Sequence, residues 1–212
     1  MANKYLPIAI SVVTRPCLVV GGGAVALRKV ETLLEYETKI TVIAPKPDAK
    51  IEYHADKGRI ELIKREYASP EAADYGLVIA ASSDAYVNQE VYNDAIAAHV
   101  PVNVVDNTGL CDFIFPAITK RDCLTVAVST DGQAPFLAGF LREFLDGVFT
   151  DRWRRIAGYA GKFRRMVMEE GPKGRERKAA CLQRFLNADW KKLLKDKNDE
   201  EINTEFRTWL NE

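Results

Sequence analysis

The 212-residue chain has 2 histidines, and its 4 cysteines include no C-x-x-C pair. Neither a histidine- or cysteine-built metal site nor a disulfide framework is expected. Cys17, Cys111, Cys123 and Cys181 read as scattered reduced thiols. No apolar run is long enough to span a bilayer, and no basic start leads into an apolar signal core. A cytoplasmic protein without a membrane partner is the expectation. Net charge is missing as well, with 30 Lys/Arg against 30 Asp/Glu. The balance conceals a split. From Asp151 to Glu212 there are 16 Lys/Arg and 11 Asp/Glu, and before Asp151 there are 14 and 19. A basic tail suits a polyanionic partner. It has no DNA- or RNA-reading motif, so nucleic acid is not expected. Internal repeats and low-complexity tracts are absent.

What is present is a glycine cluster. Cys17-Leu18-Val19-Val20 runs straight into Gly21-Gly22-Gly23, and a helical pattern follows at Ala24. Gly21, Gly23 and Ala26 fill the G-x-G-x-x-G/A fingerprint of a dinucleotide-binding turn. The first glycine allows the tight turn. The second lets backbone N–H groups approach a pyrophosphate. The small third residue lets the helix pack close to the strand. The helix N-terminus then offers free N–H groups and the positive dipole end to an anion.

The first half alternates short β-prone runs with helical patterns. Strands are expected at Pro16–Val20, Lys39–Ala44, Arg59–Ile63, Leu77–Ala81 and Val102–Val105, and helices at Ala24–Leu34 and Val87–His99. Apolar, β-branched strands alternating with helices predict a parallel sheet with helices on both faces, a Rossmann-like α/β fold. After Asp106 the alternation stops. Phe113–Ile118 and Leu124–Ser129 read as two more strands, separated by the polar Thr119–Asp122. Thr130–Pro135 reads as a turn and Phe136–Phe149 as an apolar helix. From Asp151 the chain reads as all-helical, broken at Gly171-Pro172. Further helices are expected at Arg175–Asn187, Asp189–Asp196 and Glu200–Leu210. The expected organisation is a nucleotide-binding domain over 1–112, a strand-helix segment over 113–149 and a helical domain over 150–212.

The glycine turn belongs to an ordered series of motifs. Leu6-Pro7-Ile8, the glycine turn running on to Arg28-Lys29, Val102-Asn103-Val104-Val105-Asp106, Phe113-Ile114-Phe115-Pro116-Ala117-Ile118 and Ala127-Val128-Ser129-Thr130 follow one another. This series resembles the precorrin-2 dehydrogenase / sirohydrochlorin ferrochelatase family, which includes the N-terminal part of siroheme synthases. The resemblance extends over nearly the whole chain. It implies NAD-dependent oxidation of precorrin-2 to sirohydrochlorin. In bifunctional members iron is then inserted to give siroheme, with Fe2+ as a substrate; the residues leave that second activity open. It also implies a homodimer built through segment 113–149.

The resemblance assigns roles residue by residue. Gly21, Gly22, Gly23, Ala24 and Val25 match the nucleotide turn. Strand two ends in Ala44-Pro45-Lys46, with no acid for the ribose hydroxyl. Pro45 and Lys46 are expected to border the cofactor. NAD is favoured by resemblance, while Lys46 keeps a 2′-phosphate open. Apart from the resemblance, Ser82 ends a later strand, where a small residue either borders the cofactor or simply makes a strand-end turn. Asp106 matches the family's catalytic position, where a carboxylate takes a proton from the tetrapyrrole; its alternative is a turn aspartate beside Asn107. Ser129 and Thr130 follow a strand and precede Gly132, so they read either as contacts for substrate carboxylates or as an ordinary turn. The family often has glycine where this chain has Asp131. The rival reading is a non-enzymatic nucleotide-sensing module. It needs neither Asp106 nor the Phe113–Ile118 motif, and would carry an acid after strand two.

Overall fold

The structure is a computed structural model describing residues 5–211. The chain divides into two compact units, one up to Phe115 and the other from Pro116.

The first unit is an α/β sandwich. In chain order it holds β1 (Cys17–Val20), α1 (Ala24–Leu33), β2 (Ile40–Ile43), α2 (Ala49–Asp56), β3 (Glu61–Ile63), β4 (Leu77–Ala80), α3 (Ala85–Ala97) and β5 (Val102–Val104). The strands form one five-stranded sheet in the order β3-β2-β1-β4-β5, and every pairing is parallel. β1 is fully buried along its length, as a central parallel strand covered on both faces requires. Side-chain alternation then sorts the core. Cys17 and Val19 point into the layer that holds Ala26, Leu27 and Val30 of α1 and Ile51 of α2. Leu18 and Val20 point the other way, into the layer with Val91 and Ala95 of α3 and Tyr67. The Rossmann-like reading is therefore what the chain adopts.

Two expectations fail in this region. Helix α2 was not expected. It follows Pro45-x-Pro47, and Ile51 is its one buried residue, so no apolar stripe advertises it. Asp48 starts it by accepting the Lys50 N–H at 2.8 Å. The Phe113–Pro116 stretch is not a strand. It runs along the open edge of β5, where the Asp112 N–H donates to the Val102 carbonyl at 2.9 Å. The buried Asn103 side chain donates to the Phe113 carbonyl at 2.9 Å. Phe113 and Phe115 then pack in one core layer and Ile114 in the other. Such a segment covers an edge without pairing as a full strand.

The second unit opens with an antiparallel hairpin, β6 (Ala117–Arg121) and β7 (Leu124–Val128). The polar Thr119–Arg121, expected to separate two strands, lies inside β6. The reason is a partner: Thr119 and Arg121 both donate to the Asp146 carboxylate of α4 (Pro135–Val148). Helices α5 (Asp151–Glu169), α6 (Arg175–Asn187), α7 (Trp190–Asp196) and α8 (Asp199–Asn211) follow. Their core gathers Ile156, Phe163 and Val167 of α5 with Phe185, Trp190, Ile202 and Phe206. α4 keeps an apolar face open: Phe136, Phe140 and Phe144 are 80%, 64% and 61% exposed. Among the described residues no helix is long and apolar enough to cross a membrane.

Candidate functional site

The strand register brings the expected residues of the first unit to one edge. Val20 lies opposite Ile43 and Ala80, and Ala80 opposite Val104. The next residues out, Gly21–Gly23, Ala44–Lys46, Ala81–Ser82 and Val105–Asp106, therefore all follow the carboxyl ends of β1, β2, β4 and β5. Open parallel sheets bind ligands at that edge.

The glycine turn is built by close approach. Gly21 has φ +124, and a Cβ there would stand 2.3 Å from the Ala81 carbonyl oxygen. A Cβ on Gly22 would stand 2.7 Å from Cα of Pro47 and 2.8 Å from Cβ of Ala44. Gly22 thus permits the β2–α2 loop to close, and its carbonyl accepts the Asp48 N–H at 2.7 Å. Gly23 differs, since a Cβ there would meet nothing within 4 Å. It is the N-cap of α1, and no side chain caps that end. The first N–H groups of the helix, at Ala24 and Val25, have no capping side chain and no acidic residue in the first turn. An anion such as a pyrophosphate fits this cradle. Ala26 is fully buried in the layer between α1 and the sheet, where the fingerprint needs a small residue.

Pro45 and Lys46 are exposed beyond β2. The nearest acid, Asp48, is turned to α2 as its cap. Ser82 is held by a residue that the sequence did not single out. Its N–H donates to Asn88 Oδ1 at 3.0 Å, and Asn88 Nδ2 donates back to its carbonyl at 2.9 Å. The Ser82 hydroxyl accepts the Asp84 N–H at 3.1 Å and keeps its own proton to donate.

Asp106 has φ +60, a left-handed conformation in which asparagine and aspartate are tolerated better than most residues. The turn around it is closed by its neighbour: Asn107 Oδ1 accepts the Gly109 N–H at 3.2 Å. The carboxylate of Asp106 is exposed and makes no hydrogen bond or ion pair among the described residues.

Ser129 and Thr130 belong to the second unit, where both hydroxyls serve their own turn. Ser129 Oγ accepts the Asp131 N–H at 3.2 Å, and Thr130 Oγ1 accepts the Ala134 N–H at 3.1 Å ahead of α4. Asp131 has φ +53, the conformation that glycine adopts freely. Among the described residues no three His, Cys, Asp or Glu side chains are grouped to hold a metal ion.

A family model described as "Putative NAD(P)-binding" matches residues 8–117. The chain belongs to this NAD(P)-binding family. The match spans the sheet, the glycine turn and Asp106. The chain is 41% identical over 174 residues to a siroheme synthase of Methylococcus capsulatus, covering 82% of this chain and 37% of that protein. It is 39% identical over 166 residues to a siroheme synthase of Nitrosococcus oceani, covering 78% and 36%. The chain thus spans little more than a third of the length of these relatives. A solved structure described as SirC, a precorrin-2 dehydrogenase, superposes with a TM-score of 0.77 at 21% identity, covering 96% of this chain and 100% of the other. That likeness carries the fold across both units.

Proposed function

We propose that the chain oxidises precorrin-2 to sirohydrochlorin with NAD as acceptor, within siroheme or related tetrapyrrole synthesis. The carrying observation is the free carboxylate of Asp106, on the same sheet edge as the uncapped glycine turn. The siroheme synthases that match most of the chain supply the substrate class.

The oxidation removes a hydride and a proton from the reduced macrocycle. Bound NAD would accept the hydride. Gly21 and Gly22 shape the turn, and the N–H groups at Ala24 and Val25 receive the pyrophosphate, with Gly23 leaving the approach open. Pro45, Lys46 and Ser82 border the adenosine and nicotinamide sides. The remaining proton goes to an Asp106 oxygen, which no donor among the described residues occupies. In the second unit, Ser129 and Thr130 are assigned to the substrate's carboxylates; their hydroxyl protons are still free to donate. The non-enzymatic sensing alternative leaves the unpartnered Asp106 carboxylate without a role, and the acid that follows β2, Asp48, is engaged through Oδ1 as the cap of α2.

Iron insertion into sirohydrochlorin is a second assignment to the same carboxylate. Two pyrrole N–H protons must leave as Fe2+ enters, and Asp106 is a base positioned to take them. Subunit pairing through 113–149 completes the reading, with 1–112 holding the cofactor and 150–212 a helical domain. Its support is the exposed Phe136, Phe140 and Phe144 face of α4. The cytoplasm suits the four free cysteines.

The deciding experiment supplies precorrin-2 and NAD to the purified protein and follows NADH absorbance together with the sirohydrochlorin spectrum. Coupled appearance of both is expected. NAD binding without tetrapyrrole turnover or binding would return the protein to the sensing class.

A further inference from the structure

Lys29 lies on α1, on the flank that meets the segment covering the β5 edge. Its Nζ sits 4.0 Å from the centroid of the Phe115 ring. Phe115 is itself packed against the core layer of Cys17 and Val19. The lysine side chain is half-buried, yet among the described residues its ammonium makes no hydrogen bond and no ion pair. Burial pulls its pKa down and Arg28 adds to the fall, while Cys111 and Asp106 act the other way. An ammonium that has lost part of its water normally has an acceptor for its N–H groups. Here the aromatic face covers one side and the others are unclaimed.

Phe115 shares its core layer with Val105, the residue before Asp106, and the ammonium and the Asp106 carboxylate attract one another. An anion arriving from outside would satisfy the donors. The cofactor's pyrophosphate is the wrong anion. Lys29 is six residues beyond Gly23, about 9 Å along the helix at 1.5 Å per residue, and the phosphates belong at the helix start. The substrate class proposed above is rimmed with carboxylates, and a substrate whose proton reaches Asp106 brings its rim to this flank.

We propose that Lys29 is a substrate-binding residue: its ammonium, steadied over Phe115, takes one peripheral carboxylate of the tetrapyrrole and sets the macrocycle against Asp106. This rests on the tetrapyrrole reading of the site. A charge-assisted contact in a partly desolvated position is the kind that resists competition from water.

The test compares wild type, Lys29→Met, Lys29→Gln and Lys29→Arg. Methionine keeps an apolar stem over Phe115 and removes the charge; glutamine serves if methionine fails to fold. Sirohydrochlorin binding is read by quenching of tryptophan fluorescence, precorrin-2 turnover by NADH formation and NAD binding by calorimetry. In Lys29→Met the tetrapyrrole Kd and KM should rise about tenfold or more, the usual scale for losing a hydrogen bond to a charged group. NAD affinity and melting temperature should hold, and Lys29→Arg should recover most of the loss. Unchanged tetrapyrrole affinity in a folded Lys29→Met overturns the proposal and reduces the lysine to a cover for Phe115. Weakened NAD binding with unchanged tetrapyrrole affinity overturns it in favour of a phosphate contact. Wild type that binds no tetrapyrrole fails the functional reading itself, and this proposal with it.

Discussion

Gly21 and Ala81 stand so close that a Cβ on the glycine would lie 2.3 Å from the alanine's carbonyl oxygen. The turn after β1 and the end of β4 are thus locked together by the absence of one carbon. Gly21 also has φ +124, which a side chain tolerates poorly. Gly21→Ala should therefore destabilise the fold, by about 1–3 kcal/mol from backbone strain alone, read as a lower urea midpoint. Gly23→Asp should behave in the opposite way. The space is open there, and aspartate is a good N-cap beside the positive end of α1. Its melting temperature should hold while its calorimetric NAD titration goes flat, because the carboxylate occupies and repels the pyrophosphate position. Wild-type NAD affinity in Gly23→Asp would remove the glycine turn from the site.

Tyr67 offers a stability test remote from the chemistry. Its hydroxyl donates to Asp94 Oδ2 at 2.7 Å and accepts the buried Ala72 N–H at 2.9 Å. Tyr67→Phe leaves that N–H without its partner, at a cost of about 1–3 kcal/mol. Burial first, and then the hydrogen bond to Asp94, push the phenol well above its ordinary value. A raised folded-state pKa gives stability that is full below the unfolded value, about 10, and is lost as pH rises through the folded one. Urea midpoints of wild type should fall on the alkaline side, and Tyr67→Phe should flatten that slope. Equal slopes would mean that Tyr67 ionises as freely in the folded protein as in the unfolded chain.

Subunit pairing makes its own prediction. Phe140 and Phe144 are more than half exposed on α4, and burying such side chains is the main drive to association. Sedimentation at micromolar concentration should give a dimer. Phe140→Glu should shift it to a monomer while the far-ultraviolet dichroism stays that of a folded chain. A wild-type monomer with full activity would leave the α4 face without this role.

The sheet was legible because its strands are short, apolar and β-branched, and because α1 carries a stripe at helical spacing. Even the limits of α6 follow from the helical pattern between Gly174 and Ala188. α2 was not legible, since one buried isoleucine makes no pattern. Phe113–Pro116 misled for a different reason. Its composition is that of a strand, but its path is decided by Asn103, a residue on another element whose side chain holds the Phe113 carbonyl. The site divides in the same way. The glycine fingerprint and the strand-end Asp106 are local signals. The grip of Asn88 on Ser82, the packing need at Gly22 and the unpartnered Lys29 are tertiary facts with no local pattern.

Asp106 carries the sharpest prediction. Asp106→Asn keeps the size and suits the left-handed φ of +60, since asparagine is at ease there. Asn107 already closes the adjoining turn, so the substitution should not disturb the loop. What it removes is the proposed proton acceptor. NADH formation from precorrin-2 should fall by about 100-fold or more, the scale of lost general-base catalysis. NAD affinity should be unchanged, because the proposed pyrophosphate cradle is built from α1 and the glycine turn. Fe2+ insertion into supplied sirohydrochlorin is measured separately. If both activities fall, one carboxylate serves both proton removals. If chelation falls alone, hydride departure needs only placement of the macrocycle beside the nicotinamide. If neither falls, Asp106 is a turn residue after all, and the base must be sought elsewhere on the same sheet edge.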